Sequence, residues 1–234
     1  MSRNQEPLVE LLWGAPQKPR RGPKPALSVD QLVHAATAVA DAEGLAAVSM
    51  QRVADELSST KMALYRYVPG KAELVALMID RALGTPPELD GVPGGWRERL
   101  REWAMRMLTG FQAHRWLVEA TVGPRVLGPN EIGWMESALV AMEGTGLDGG
   151  ERMDAVALVA GHIRMIAQQG TTERPERETG TIMAGVLREH GERYPAVCSA
   201  MASASATGTQ DQGLEFGIER ILDGLGLLID RRAD

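Results

Sequence analysis

Apolar positions recur along this chain with the spacing of helices rather than strands. Val29, Leu32, Val33, Ala36, Val39 and Ala40 form one stripe, which Ser28 opens as a cap and Gly44 closes. Met50, Val53, Ala54 and Leu57 follow at i, i+3, i+4 and i+7, with Ser49 placed to cap them. The short break Ser58-Ser59 leads to a helix of about two turns with Leu64 and Val68 on one side. Lys71 to Leu83 carries Leu74, Leu77 and Met78 on its buried side. Further helices are predicted at 96–113, 116–122, 130–143, 151–169, 177–189 and 211–231, whereas the small, polar stretch Ala200–Thr209 reads as loose. No β-branched run alternates with polar residues long enough for a sheet, so the predicted fold is all-α.

The pair of short helices around Ser58-Ser59 carries the most specific chemistry. Its second helix turns Lys61, Met62, Tyr65 and Arg66 away from its apolar side. A stub that presents cations, a phenol and a thioether is too small to fold alone and makes sense facing a partner. Two short helices joined by a tight turn, the second polar and aromatic outside, describe a reader of a DNA groove. Thr60 is placed to cap that helix, and Lys61 and Met62 lie at its tip, suited to guanine and to a thymine methyl respectively. Tyr65, Arg66 and Tyr67 suit phosphate or sugar, and Lys71 opens the next helix, where free N–H groups and its charge converge on the backbone. Tyr67 could equally be core.

From Leu27 to Leu83 the chain resembles the DNA-binding domain of the tetracycline-repressor family, on the segments HAATAVADAEGLAAVSM, QRVADEL and ALYRYVPGKAEL. The run Leu64-Tyr65-Arg66-Tyr67-Val68 with Lys71 three residues on is the most specific part, and the likeness continues more weakly to the closing FGIERILDGLGLLI. The resemblance implies DNA contacts at Gln51, Lys61, Met62, Ala63, Tyr65, Tyr67 and Lys71. It also implies a homodimer, in which the last helix and Glu151–Gln169 contribute half of a four-helix bundle, and a pocket for a largely apolar effector. Candidate lining residues are Trp103, Met107, Phe111, His114, Trp134, His162, Met165 and Gln168, where adaptable methionines and aromatics accompany a few polar groups. Two features depart from the family pattern. Ser58 stands where glycine is usual, because a left-handed backbone is wanted there. Asp55 and Glu56 put negative charge near the turn, and are expected to face away from DNA.

Charge refines this picture. The net charge of −6 argues against a nucleic-acid binder until the chain is divided. Residues 1–84 hold ten Lys and Arg against nine Asp and Glu, and the rest hold fifteen against twenty-two. Local charge governs contact with phosphate, so the acidic second part does not exclude DNA. The organisation expected is a flexible leader and basic arm (1–26), a helix-turn-helix domain (27–84), a proline- and glycine-rich linker (85–95) and a ligand-binding and dimerisation domain (96–234). In the arm, Arg20, Arg21 and Lys24 either follow the DNA backbone or minor groove, or belong to a solvated linker.

Other chemistry is weakly represented. One cysteine, Cys198, excludes an internal disulfide and fits a reducing compartment. Neither a signal peptide nor an apolar run of membrane-spanning length is present, so a cytoplasmic location is expected. Gly144-Thr-Gly146-Leu-Asp-Gly149 matches a dinucleotide fingerprint in form, but no strand precedes it. The four histidines are scattered, and no acyl-transfer signature occurs, so neither cofactor nor metal nor catalysis is expected. A ligand-released repressor is the leading reading; a small-molecule binding or sequestering protein with a degenerate DNA-binding domain is the alternative.

Overall fold

The computed structural model describes residues 6–14, 27–169, 175–207 and 212–233. Among these, the regular structure is helical, with no strand. The chain divides into two compact units, one up to Glu143 and one from Gly144 onward.

The first unit holds α1 (Glu6–Trp13), α2 (Val29–Glu43), α3 (Met50–Glu56), α4 (Lys61–Leu64), α5 (Lys71–Leu83), α6 (Trp96–Ala113), α7 (Leu117–Ala120) and α8 (Pro129–Ala141). Helices α2, α3 and α4 bury Leu32, Ala36, Val53, Ala54 and Leu64 together with Leu74 and Met78 of α5. Burial of each leucine, valine or methionine among them contributes roughly 1.5–3 kcal/mol, which helps to hold elements as short as α3 and α4. Helix α5 is the axis of the unit, since α1, α2, α6, α7 and α8 all pack on it.

Helix α8 meets α5 through polar contacts at both ends of a short stretch. Asp80 is 6% exposed, and its Oδ1 accepts from the backbone N–H of Asn130 at 2.8 Å and of Glu131 at 3.4 Å. The Asn130 side-chain amide also donates to the Asp80 backbone oxygen at 2.9 Å. Burial pushes the Asp80 carboxyl above its ordinary value, opposed by those two amides. In the other direction, Trp134 Nε1 reaches the carbonyls of Leu83 and Gly84 at 3.1 and 3.2 Å, where α5 ends. Two glycines permit the approach: a Cβ at Gly128 would lie 2.1 Å from Asp80 Oδ1, and one at Gly133 2.3 Å from Pro86 Cγ.

Two sequence expectations need correction. The leader was expected to be flexible, but residues 6–13 form α1, whose Leu12 is buried and whose Trp13 Nε1 donates to Leu127 O at 3.0 Å. Its partners lie in α5 and at Leu127, far along the chain, and so leave no signal within the leader itself. The stretch from Ala200 was expected to be loose, yet α11 runs from Pro195 to Thr207. Alternate alanines, the best helix formers, and proline at the first helical position outweigh the serines there.

The second unit contains α9 (Gly149–Gln169), α10 (Pro175–His190), α11 and α12 (Gly213–Ala233). Helices α9 and α12 pack on each other through Val159, Ile163, Ile218 and Leu222. His162 lies against Gly217, where a Cβ would be 2.1 Å from the ring, and its Nε2 is 3.2 Å from Leu214 O. The apparent dinucleotide motif is a helix entry. Gly144 and Gly146 take positive φ, while Asp148 and Glu151 exchange reciprocal capping bonds of 2.9 Å.

Gly128→Ala should therefore cost at least about 2 kcal/mol, as an overpacked and unsatisfied site does, read as a lower thermal unfolding midpoint. An unchanged midpoint would contradict the close approach to Asp80.

Candidate nucleic-acid interface

The reader is assembled from three local devices, each legible in residue type. Ser49 caps α3 by accepting from Arg52 N–H at 3.1 Å. Thr60 caps α4 by accepting from Ala63 N–H at 3.2 Å. Between them α3 closes with a doubly bonded turn: Ser59 N–H reaches Ala54 O at 2.9 Å and Ser58 N–H reaches Asp55 O at 3.1 Å. This closure places its residue Ser58 at φ 48°, the single non-glycine with positive φ among the described residues. The left-handed backbone expected from the sequence is present, and the geometry is kept at a cost of about 1 kcal/mol.

Helix α4 is shorter than the two turns expected. Regular helix ends at Leu64, but N–H groups of Tyr65 and Val68 still bond to Lys61 O and Leu64 O, so the chain remains coiled to the end of the apolar side. Leu64 and Val68 are wholly buried, which turns the rest of the coil outward. Met62 is 74% exposed and Tyr65 39%. Lys61 and Arg66 are also exposed, and Lys61 Nζ sits 5.9 Å from the Tyr65 ring centre, a cation–π contact that aligns the two. Ala63 and Tyr67 are half-buried and line, with Leu27, Ser58, Ser59 and Arg66, a cleft of about 430 Å³. Lys71 is exposed at the start of α5, its Nζ 3.5 Å from Leu45 O. Arg20, Arg21 and Lys24 lie outside the described residues.

The two acidic residues near the turn each have a partner on α3. Glu56 and Glu43 both hold Arg52, at 2.8 and 2.7 Å, and these bonds raise the Arg52 pKa further. Asp55 shares one exposed face of α3 with Gln51, whose Nε2 donates to Asp55 Oδ1 at 2.7 Å.

The residues expected to line a ligand pocket fall in both units. Trp103, Phe111 and Trp134 are buried in the first. Trp103 Nε1 donates to Trp134 O at 2.8 Å with the rings 6.1 Å apart, so this pair is packed core. Met107 is half-buried beside them in α6. His114 ends α6, where its Nδ1 is 2.9 Å from Asp41 Oδ1, an oxygen that also accepts from Trp116 Nε1 at 2.7 Å. In the second unit His162 is half-buried, and Met165 and Gln168 are exposed on α9. The Asp80 junction was missed by sequence reasoning. Gly128-Pro129-Asn130, a helix-start signature, was the available signal.

The chain matches two family models: the bacterial regulatory proteins of the tetR family over residues 32–78, and the tetracyclin repressor-like C-terminal domain over residues 87–229. It is 39% identical to the HTH-type transcriptional repressor DrrR1 of Streptomyces coeruleorubidus, over 96% of this chain and 86% of that protein. Apo ActR of Streptomyces coelicolor superposes with a TM-score of 0.73 at 27% identity, covering 89% of this chain and 99% of ActR. ActR in complex with actinorhodin gives 0.70 at 29% identity, over 85% and 95% of the two chains. Helix-turn-helix geometry, the matched models and these relatives agree: the chain belongs to the tetracycline-repressor family and is a transcriptional repressor with a DNA-binding helix-turn-helix.

Proposed function

We propose that a homodimer sets α4 of each subunit into successive major grooves of a pseudo-palindromic operator, with half-sites about 34–36 Å apart. The supporting observation is the exposed tip Lys61–Tyr65, held by the Thr60 cap on one side and by buried Leu64 and Val68 on the other. Lys61 and Met62 reach base edges with Ala63 close behind, and Gln51 reads from α3. Tyr65, Tyr67 and Lys71 hold phosphates, and Arg20, Arg21 and Lys24 extend the contact along the backbone. Dimerisation is favoured by apolar side chains left exposed on the paired helices α9 and α12, namely Leu158, Met165, Phe216 and Leu227. Residues 27–84 serve as the reader, and the helices after residue 95 serve effector binding and dimerisation.

The effector is a largely apolar small molecule; ActR has itself been solved in complex with a small molecule, actinorhodin. Candidate contacts are Met107 and His114 in the first unit, with Trp103, Phe111 and Trp134 as supporting core, and His162, Met165 and Gln168 in the second. To empty a nearly full operator, the effector must prefer the non-binding conformation by roughly 10⁴-fold, about 5.5 kcal/mol. The closed turn at Ser58 and the two filled caps favour this reading over a sequestering protein with a degenerate reader.

Fluorescence anisotropy against DNA from upstream of the protein's own gene, across a salt series, tests the contact surface. Lys71→Ala and Tyr65→Ala should each weaken binding by roughly tenfold, with Lys71→Ala also lowering the salt slope by about one, while light scattering still finds a dimer. Unchanged affinity in both variants would overturn the assignment. Ser58→Gly should leave affinity intact and raise stability by up to about 1 kcal/mol, the relieved backbone strain less the added freedom of the unfolded chain. A loss of stability would show that the serine contributes more than its backbone costs.

A further inference from the structure

Asp41 stands in an unfavourable place for its own helix. It lies in the last turn of α2, where the negative end of the helix dipole opposes a carboxylate, and that turn holds no basic residue. Its partners come from the turn between α6 and α7. Trp116 Nε1 donates to Asp41 Oδ1 at 2.7 Å, and His114 Nδ1 lies 2.9 Å from the same oxygen and 3.2 Å from Oδ2. A carboxylate only accepts and an indole only donates, so His114 presents its N–H at Nδ1 and both donors converge on Asp41. Trp116 is 5% exposed, and its ring centre lies 5.9 Å from that of His114, so the donors are held together. Helix α2 otherwise packs chiefly on α3 and α5. Beside His114 a cleft of about 360 Å³ opens between α2 and α5, so apolar packing does not hold α2 to the end of α6 there. At the opposite end of α2, the Asp30–Arg81 pair is exposed and a weaker tie. Two residues beyond Asp41, Glu43 holds Arg52 of α3, which also holds Glu56. The α6–α7 turn is thus joined to α3 through one carboxylate and one ion-pair chain.

We propose that Asp41, with His114 and Trp116, fixes the angle of the helix-turn-helix on α6 and thereby sets the half-site spacing that the repressor accepts. The inference rests on the homodimer reading given above. Each base pair inserted between half-sites moves one of them by about 3.4 Å along the DNA axis and about 35° around it. Readers held at one angle reject such an operator, whereas readers free to tilt follow it. The three residues are positioning residues that touch no base. They act on the distance between half-sites and leave the sequence preference within each half-site to α3 and α4.

The test uses the full-length protein and the inverted repeat it selects from a randomised duplex pool, with versions of that repeat one base pair longer or shorter at the centre. For the wild type, either change should weaken binding roughly tenfold or more. Asp41→Ala should bind the native repeat about tenfold more weakly, and its spacing penalty should shrink to about threefold or less. Single-base changes within a half-site should cost Asp41→Ala what they cost the wild type. Trp116→Phe keeps a buried ring and removes one donor, so its spacing penalty should fall between the two, and it supplies the measurement if Asp41→Ala folds poorly. Light scattering should find a dimer throughout. Variants that only lost stability would bind every operator proportionately more weakly and keep the wild-type spacing penalty, and that result would overturn the proposal. Altered base preference within the half-site at unchanged spacing penalty would overturn it too, making Asp41 part of the reading surface. A wild type that binds a lone half-site as tightly as the repeat would refute the homodimer reading itself, and the spacing role with it.

Discussion

The mounting of the reader depends on one buried carboxylate. Asp80 sits on the core side of α5, where an unpaired charge would be costly. It is tolerated because α8 begins against it, offering the two free N–H groups of its first turn and the positive end of its helix dipole. Each partner solves the other's problem: the carboxylate satisfies orphan amides, and the amides stabilise a charge that burial disfavours. Trp134 repeats the exchange in reverse by donating to the orphan carbonyls at the end of α5. Apolar packing alone would let α8 slide along α5, whereas these directional bonds fix its register.

That register matters because α5 continues from the turn that ends the DNA-facing coil. Lys71 opens it, Leu74 and Met78 pack under the helix-turn-helix, and Asp80 and Leu83 engage α8 one to two turns later. A single helix therefore connects the helix-turn-helix to the rest of the first unit. Helix α1 adds a second tie, because Leu12 is buried, α1 packs on α5, and Trp13 bonds near the start of α8.

Much of the reader was legible because its signals are local. Ser28, Ser49 and Thr60 cap the helices they precede, and each bond lies within three residues. The family resemblance marks Ser58 as a left-handed position, and its φ of 48° accompanies the closing bonds of Ser58 and Ser59. Illegible features are those decided by distant partners. Helix α1 is held by α5 and by Leu127, both far along the chain. Asp80 reads as an ordinary polar position until the close contact with Gly128 is seen, and Asp55 reads as stray charge until Gln51 turns toward it. Trp103 and Trp134 illustrate the opposite error: large adaptable side chains suit a ligand, but their indole hydrogens already serve the core.

The central claim is that the Asp80 carboxylate holds the first turn of α8. Amide hydrogen exchange at Asn130 and Glu131, followed by NMR in the wild type and in Asp80→Ala, tests it most directly. Exchange at these two amides should accelerate by roughly tenfold or more in the variant, the loss expected for a buried charge-assisted bond. Amides within α3, such as Val53, should keep their protection relative to the rest of the unit. Equal exchange at Asn130 and Glu131 in the two proteins would show that α8 is held by packing alone, and the account of how α5 carries the reader would fail.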